Sequence, residues 1–339
     1  MVSCRPIIGI NMKIHDGLSN LTYFTTSFNG QKRLSITLEF LRATGFDGQF
    51  IIVDATSENQ SLNYADYKFV TYKHRPKCSA VEGVAIAASM VETPYAAFIG
   101  DDDLPILSGV KKVLSFLESN QDFEAVSGRA GFIDFDKLFS FKRLNLFDRF
   151  RFAVMTFLSD RYDQSTNLED HDPLTRMQAL KQKYTVSQFF ITRTEYLHHI
   201  YNDSFLTMSD VHASEYSFCY AHAALCRSKK LSHTYLLRGI GSHRPNADPQ
   251  ESRHRLENFD KLQVEIEDFF RKLKLSDACR NAAINATKEA RHRAEQVRVS
   301  TSKRKMSTVS YLYHQIKRFH FVLTGQTRER IRLALWGCG

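Results

Sequence analysis

Short apolar runs alternate with amphipathic segments between Leu21 and Gly128. Runs rich in aliphatic and β-branched residues predict strands, and apolar residues spaced three and four apart predict helices. The predicted strands are Leu21–Phe28, Phe50–Val53, Phe69–Tyr72, Tyr95–Ile99 and Ala125–Gly128, and the predicted helices are Gln31–Thr44, Ala80–Met90 and Leu107–Leu117. This alternation predicts an α/β fold with a mostly parallel sheet and helices on both faces.

The pattern changes after Gly128. Residues 136–185 are charged and aromatic, and we interpret them as an insertion that forms an acceptor lid. The predicted elements beyond it are the strand Tyr184–Arg193, the helix Ser214–Arg227, the strand Thr234–Arg238 and the loop Gly239–Pro249. From residue 251 onward, charge and helical periodicity dominate. We therefore predict a main domain of residues 1–250 and a basic helical C-terminal extension of residues 251–339.

Composition and charge narrow the function of these two parts. The chain has 339 residues, of which 43% are hydrophobic and 12% aromatic, so a large core is expected. The net charge is +9, and residues 291–339 alone carry 11 Lys or Arg residues against Glu295 and Glu329. Because the remaining residues are neutral overall, a nucleic-acid groove in the main domain is not expected.

The basic segment combines cationic and aromatic residues, among them Lys303, Arg304, Lys317, Phe319 and Trp336. Such a segment predicts peripheral contact with an anionic membrane, while an acidic partner, nucleic acid and a solvated helical face remain alternatives. No apolar stretch is long enough to span a bilayer, and no signal peptide is recognised. The six cysteines form no CxxC pair and predict reduced thiols. A cytoplasmic location, peripheral to the membrane in one interpretation, is expected.

Three consecutive aspartates, Asp101, Asp102 and Asp103, follow the predicted strand Tyr95–Ile99 directly. Adjacent carboxylates repel each other, and a divalent cation such as Mn²⁺ or Mg²⁺ relieves that repulsion. Open α/β sheets bind ligands beyond the carboxyl ends of their strands, which is where this cluster is expected. The alternative is a solvated acidic turn in which one aspartate caps the following helix.

The sequence also resembles a known family. The segments TTSFNGQKRL, FIIVDAT and ETPYAAFIGDDDLP, in this order, resemble GT-A-fold glycosyltransferases of the family 2 type, in the branch with a DDD motif. The resemblance covers residues 21–135 well and residues 186–245 more loosely. It implies a metal-dependent enzyme that moves a sugar from a nucleotide-diphosphate sugar to an acceptor hydroxyl. A general base would give inversion at the anomeric carbon, with retention as the alternative. If the basic segment contacts a membrane, the expected acceptor is a lipid-linked glycan or a surface polysaccharide.

The resemblance also implies roles for the residues that bind the donor. The loop after the first strand would contact the nucleoside, and Asp54 would hydrogen-bond its base. Asp101 and Asp103 would bind the metal, with Asp102 beside the donor. The sequence departs from the family at Gly30, where Arg is more frequent. The loop residues are Thr26, Ser27, Phe28 and Asn29. A simple turn at Asn29 and a loop cap at Asp54 are the structural alternatives.

Five further residues complete the predicted site. Glu215 or Asp210 would be the general base, because an acceptor hydroxyl must lose its proton as it attacks. An N-cap or a first-turn acid is the structural alternative for both. His243 is a candidate third metal ligand, and Arg238 would pair with the diphosphate, as would Arg244; surface charge is the alternative for the arginines.

Two other functions fit the same sequence. A sugar nucleotidyltransferase also uses a nucleotide, a metal ion and an α/β sheet, although the loop FNGQKR lacks the glycines typical of that class. A non-catalytic binding protein would use the aspartates for structure and the basic extension for contact with its partner.

Overall fold

The computed structural model of the protein describes residues 17–57, 64–134, 166–240 and 259–301. Its strands are β1 (Leu21–Ser27), β2 (Gln49–Asp54), β3 (Val70–His74), β4 (Tyr95–Phe98), β5 (Leu104–Pro105), β6 (Ala125–Asp134), β7 (Ile191–Arg193) and β8 (Ser228–Ile240). Its helices are α1 (Gln31–Ala43), α2 (Ala80–Ser89), α3 (Leu107–Ser119), α4 (Pro173–Gln182), α5 (Thr194–Ile200), α6 (Asp203–Leu206), α7 (Val211–Leu225), α8 (Phe259–Lys272) and α9 (Asp277–Thr301).

The described strands form one sheet in the order β3-β2-β1-β4-β7-β6-β8-β5. The four strands β3, β2, β1 and β4 are parallel, and β6 is parallel to β8. The short strand β7 runs antiparallel between β4 and β6, and β5 runs antiparallel to β8. The predicted mostly parallel α/β sheet is confirmed.

Each face of the sheet is covered by its own apolar cluster. In β2, Phe50 and Ile52 pack with α1 and α3, while Ile51 and Val53 pack with α2 and α7 on the other face. This division follows from the extended backbone, in which successive side chains point to opposite faces. Strands buried on both sides read as continuous apolar runs, which is why the segment FIIV predicted one of them. The predicted helices on both faces are confirmed.

Several elements differ from the sequence prediction. The predicted strand Tyr184–Arg193 is a 3₁₀ turn, Ser187–Phe189, followed by the three-residue strand β7. Helix α4 was not predicted, although its signal is present: Pro173 occupies the first turn, and the Asp172 carboxylate accepts the N–H of Thr175 at 2.9 Å. This combination of an N-cap acid and a following proline is typical of a helix start.

The predicted long amphipathic helix after residue 251 is divided into α8 and α9. Ser276 makes the break, because its hydroxyl accepts the N–H of Cys279 at 3.3 Å and begins α9. Apolar residues of both helices, including Phe269, Phe270 and Ala283, belong to the same buried cluster as Ile51 of β2. The C-terminal helical extension is therefore in direct contact with the main core. The domain boundary at residue 250 lies outside the described residues and stays a prediction. The predicted lid of residues 136–185 also stays a prediction, because only residues 166–185 of it are described, and most of the basic segment 291–339 lies outside the described residues.

Candidate functional site

The carboxyl ends of β1, β2 and β4 meet at one edge of the sheet. Ser27 at the end of β1 is in register with Asp54 at the end of β2, and β4 on the other side of β1 leads into Gly100 and the three aspartates. The loops that follow parallel strands at such an edge form the usual ligand crevice of open α/β sheets. The structure thus brings together the predicted loop after β1, Asp54 and the aspartate cluster.

Asp101 is bound from the β1 side. The Ser27 hydroxyl donates a hydrogen bond to its Oδ2 at 2.9 Å, and the Arg33 guanidinium of α1 forms an ion pair with the same oxygen at 3.0 Å. Gly30 makes this approach possible, since a Cβ at that position would lie 1.9 Å from Oδ2 of Asp101. Glycine at this position therefore has a steric reason in this chain. Arg33 lies in the quoted motif but was not predicted as a site residue.

Asp103 is almost completely buried and is bound by backbone. Its Oδ2 accepts the N–H of Gly100 at 2.7 Å, and its Oδ1 accepts the N–H of Gly239 in β8 at 3.0 Å. Burial raises the pKa of this carboxyl, while Arg238 and the two N–H donors oppose the rise. Both oxygens therefore already have protein donors, and Asp103 connects the end of β4 to the end of β8.

Asp102 differs from its two neighbours. Among the described residues, no other residue donates a hydrogen bond to its carboxylate, whereas Asp101 and Asp103 each accept more than one. Burial and the neighbouring charges of Asp103 and Asp101 raise the pKa of Asp102 to about 7. Gly239 leaves room for it, because a Cβ there would lie 2.5 Å from Oδ2 of Asp102. Asp102 is the carboxylate of the cluster with the greatest remaining capacity to bind a ligand.

Asp54 is buried at the end of β2 with protein donors on both oxygens. Its Oδ1 accepts the backbone N–H and the hydroxyl of Thr56, at 3.0 and 2.6 Å. Its Oδ2 accepts the Tyr72 hydroxyl at 3.1 Å and the Gln31 amide at 3.4 Å. The bond from Gln31 is the longest of the four and would be the easiest for a ligand N–H to replace. Tyr72 and Gln31 were not predicted as site residues, although Gln31 lies in the segment TTSFNGQKRL.

The loop after β1 exposes an aromatic ring at the same edge. Phe28 is 63% exposed, unlike the buried strand residues before it. Asn29 has φ of 54°, and its N–H donates to the Thr56 hydroxyl at 2.9 Å, so a tight turn presents the ring. Thr26 is partly buried and lies against α2, where a Cβ at Gly83 would be 2.2 Å from its Oγ1. The predicted turn at Asn29 is present, and it leaves the Phe28 ring exposed at this edge.

Arg238 of β8 approaches the cluster from the opposite side. Its guanidinium lies over the ring of Phe189, with 4.2 Å between the guanidinium carbon and the ring centroid. Its Nε is buried and has no hydrogen-bond partner among the described residues. A buried donor without a partner is costly, and an anionic ligand would satisfy it. Phe189, which orients this cation, was not predicted.

The two candidate bases have different environments, one at the N-cap of α7 and one within the helix. Asp210 precedes α7, accepts the N–H of Ala213 at 2.7 Å and forms an ion pair with Arg291 at 2.9 Å. Burial acts to raise the pKa of Asp210, but the Arg291 hydrogen bonds and the Ala213 N–H outweigh it, so the pKa is lowered. Glu215 is partly buried and accepts the Tyr184 hydroxyl at 3.0 Å. Asp210 is therefore the N-cap of α7, which was the structural alternative for this residue.

Helix α7 runs toward the start of β8, because only Cys226 and Arg227 separate them. The other end of β8 is bound to the aspartate cluster, because the Gly239 N–H donates to Asp103 at 3.0 Å. Tyr184, the partner of Glu215, lies in the connection to the turn Ser187–Phe189, whose Phe189 contacts Arg238. The candidate base and the candidate diphosphate ligand are therefore connected through this turn.

His243 and Arg244 lie outside the described residues. Within residues 17–57, 64–134, 166–240 and 259–301, no three His, Cys, Asp or Glu side chains form a group that could hold a metal ion. In the same ranges, no helix combines the length and the apolar character that crossing a bilayer requires. The four cysteines described there, Cys78, Cys219, Cys226 and Cys279, are free thiols.

Comparison with known proteins identifies the fold. No family model matches the chain, and no curated protein matches it in sequence. Among solved structures, S. aureus TarS 1–349 matches with a TM-score of 0.51 and 14% identity, covering 79% of this chain and 70% of that one. The same fragment in complex with UDP-GlcNAc matches with a TM-score of 0.51, 14% identity and coverage of 78% and 70%. A further structure of S. aureus TarS matches with a TM-score of 0.50 and 15% identity, covering 78% of this chain and 42% of that one. The likeness confirms the GT-A-like α/β fold.

Proposed function

We propose that the chain is a glycosyltransferase that moves a sugar from a nucleoside-diphosphate sugar to an acceptor hydroxyl. One observation carries the proposal: Ser27, Asp54 and the three aspartates lie at the carboxyl edge of neighbouring parallel strands. The fold supports it, because a structure with the same fold holds UDP-GlcNAc. Within this class, the GDDD segment after β4 favours the family 2 type that the sequence resembles.

In this proposal the nucleoside binds between Phe28 and Asp54. The exposed Phe28 ring offers an apolar face for the base or ribose. A base N–H would replace the long hydrogen bond from Gln31 to Asp54 Oδ2. Asp54 keeps its other three hydrogen bonds in that exchange, so the loop need not rearrange. Thr26, Ser27 and Asn29 form the rest of this surface.

The diphosphate binds between two arginines. Arg33 lies on the α1 side of the aspartates and Arg238 on the β8 side. The unpartnered Nε of Arg238 supports this role, because phosphate oxygens accept strongly from guanidinium donors. The two cations would also offset the charge that develops on the leaving diphosphate as the glycosidic bond breaks.

A divalent cation, Mn²⁺ or Mg²⁺, fits this site in combination with the donor. The Asp102 carboxylate has lone pairs that no other described residue uses, and Mg²⁺ commonly binds one or two carboxylates together with phosphate oxygens and water. Asp102 would hold the ion, with Asp101, Asp103 and His243 as further candidate ligands. When bound, the cation stabilises negative charge on the departing diphosphate.

Glu215 is the proposed general base. The acceptor oxygen attacks the anomeric carbon, its proton passes to the Glu215 carboxylate, and the electron pair of the broken C–O bond leaves with the diphosphate. The Tyr184 hydroxyl donates a hydrogen bond to Oε1 of Glu215 and orients the carboxylate that receives the proton. Direct attack by the acceptor inverts the anomeric carbon. Asp210 is the weaker candidate, because its lowered pKa and its bond to Arg291 oppose proton uptake.

Calorimetry and product analysis test the function. We expect UDP or GDP to bind more tightly with Mn²⁺ than without it, and more tightly than the corresponding monophosphate, which is the control. With UDP-GlcNAc and related donors, the expected product is the nucleoside diphosphate. Pyrophosphate release would instead identify a nucleotidyltransferase. Metal-independent or absent binding of every nucleotide would leave a non-catalytic binding protein and refute the proposal.

A further inference from the structure

Both ends of helix α7 are held by a buried arginine. Arg291 of α9 binds Asp210, which precedes the first turn, and Arg176 of α4 binds the last carbonyls of the helix, at Ala223 and Ala224. Arg291 is only 1% exposed and Arg176 only 5%. Charged side chains are rarely buried to this extent unless they are paired. The two arginines therefore connect α7 to its neighbours at opposite ends.

The contact at the first end restrains orientation as well as distance. Arg291 donates from Nε to Oδ1 of Asp210 at 3.1 Å and from Nη2 to Oδ2 at 2.9 Å. A planar guanidinium can bind both oxygens of a carboxylate only when the two groups are nearly coplanar. Oδ1 of Asp210 also accepts the Ala213 N–H. The same carboxylate thus joins the first turn of α7 to α9.

Helix α9 is itself held in place by neighbouring helices. Glu289 forms an ion pair with Lys181 of α4 at 2.8 Å, and Lys288 forms one with Glu267 of α8 at 2.8 Å. Ala283 is buried in the cluster that also contains residues of α7. Arg291 therefore extends from a supported helix, so its contact transmits the position of α9 to the start of α7.

We propose that Arg291 is a positioning residue that, through Asp210, places Glu215 for proton transfer. The inference rests on the proposed glycosyl transfer with Glu215 as base. Glu215 lies in the first half of α7, closer along the helix to Asp210 than to the end that Arg176 binds. The C-terminal helices, described above as an extension, are in this view part of the acceptor side of the active site.

Four variants separate positioning from stability. Arg291→Met leaves Asp210 as a buried charge without its partner, which is strongly destabilising. Asp210→Asn combined with Arg291→Met removes both charges and retains an oxygen that can cap α7. Arg291→Lys keeps the charge but loses the planar pair of donors. Arg176→Met is the matched control, because it removes a buried arginine from the other end of the same helix.

The assay is release of UDP from UDP-GlcNAc with Mn²⁺ present and water as acceptor. The water oxygen bonds to the anomeric carbon, its proton passes to Glu215, and the electron pair of the broken bond leaves with UDP. For Arg291→Met and Arg291→Lys we expect kcat to fall by about 100-fold, the loss that a displacement of about 1 Å produces. The Kd for UDP should not change, because the residues proposed to bind the donor lie on β1, β2, α1, β8 and the loop after β4, and none lies on α7 or α9.

The double variant gives the decisive comparison. We expect its melting temperature to recover relative to Arg291→Met, while kcat stays low because the bidentate contact is absent. Arg176→Met should lose melting temperature and keep kcat. If kcat followed melting temperature in all four variants, Arg291 would be a structural residue only and the inference would be overturned.

Hydrogen–deuterium exchange tests the same inference without catalysis. In Arg291→Met the amides of the first half of α7 should exchange faster, and in Arg176→Met those of the second half should do so. If the wild type released no UDP, the proposed function would fail, yet the exchange result would still decide whether Arg291 positions the start of α7. Unchanged exchange at the start of α7 in Arg291→Met would refute the positioning role.

Discussion

The aspartate cluster and the Asp210–Arg291 pair are two acidic regions with opposite environments. Asp210 has its oxygens bound by Arg291 and by the Ala213 N–H, and its pKa is lowered. In the cluster, Asp102 accepts no hydrogen bond from another described residue, and burial and its neighbours raise its pKa to about 7. The first carboxylate is complete within the protein, and the second is not.

This difference separates carboxylates whose oxygens are bound by protein donors from one that keeps unused acceptor capacity. Protein structures satisfy most of their buried polar groups, so an incompletely partnered acid needs an explanation. A carboxylate in the cluster does not lack partners merely because of its position there. Both oxygens of Asp103 are bound by the N–H groups of Gly100 and Gly239. Within one run of three identical residues, the tertiary structure therefore assigns different tasks.

Asp102→Asn is expected to have the largest effect, and on activity rather than stability. Loss of one electrostatic contact to the reacting groups should lower kcat for UDP release by about 100- to 1,000-fold. The melting temperature should stay the same or rise, since the substitution removes repulsion with Asp101 and Asp103. Asp122→Asn, in an exposed ion pair with Arg227, is the control and should leave kcat unchanged. If Asp102→Asn kept the wild-type kcat, the proposed role of Asp102 in ligand binding would be wrong.

Gly30→Ala should have the next largest effect, through packing. The added methyl group would lie 1.9 Å from Oδ2 of Asp101 and 2.2 Å from the Ser27 hydroxyl. Displacing either group costs about 1–3 kcal/mol of unfolding free energy, as overpacking usually does, and should weaken UDP binding as well. Gly45→Ala is the comparison, since nothing lies within 4 Å there and only its φ of 75° opposes a side chain. Denaturant unfolding and calorimetry on both variants test this, and equal UDP affinities would argue against a steric role for Gly30.

His222 is a buried histidine away from the proposed site, and one of its two ring nitrogens has no hydrogen-bond partner among the described residues. It lies in the core between aromatic rings, with Nδ1 unpartnered, and burial followed by the charge of Arg176 lowers its pKa to about 3. Between pH 6.5 and pH 3 the unfolded chain binds the proton that the folded chain excludes, so stability falls as the pH falls through this range. From pH 7 to pH 5 the loss should be about 2 kcal/mol.

Urea unfolding of the wild type and of His222→Gln at both pH values measures this contribution. The variant keeps a group able to bond the Thr192 hydroxyl, which lies 3.2 Å from His222 Nε2 in the wild type. Between pH 7 and pH 5, the free energy of unfolding of the variant should fall by about 2 kcal/mol less than that of the wild type. An identical pH dependence in the two proteins would show that His222 does not titrate on unfolding.

Arg42→Ala should have the smallest effect. Arg42 forms an ion pair with Glu39 on the exposed side of α1, at 2.5 Å, with side chains 62% and 40% exposed. Exposed ion pairs contribute little to stability, because solvent screens the charges and both side chains lose conformational freedom. The free energies of unfolding of the variant and the wild type should therefore be nearly equal, and any difference should shrink at high salt. A loss comparable to that of Arg291→Met would contradict the distinction between exposed and buried pairs.

Local patterns were sufficient for the elements that build the sheet. The run FIIV predicted β2, and the spacing of Leu34, Leu38 and Leu41 predicted α1, because burial on one or two faces leaves a periodic trace in the sequence. The break at Ser276 and the start of α4 at Pro173 also have local signals in the sequence, namely a capping hydroxyl and a proline in the first turn. The two-residue strand β5 carries no such trace, since its pairing with β8 depends on a distant segment.

The sequence by itself determined the parallel sheet, the helices on its faces and the position of an acidic cluster after β4. Only the tertiary structure decided which carboxylates are satisfied. Asp103 is bound by Gly239, and Asp210 by Arg291, and each pair is distant along the chain. Hydrophobic periodicity shows which face of an element is buried. A hydrogen-bond partner, in contrast, depends on how elements that are distant along the chain pack against each other.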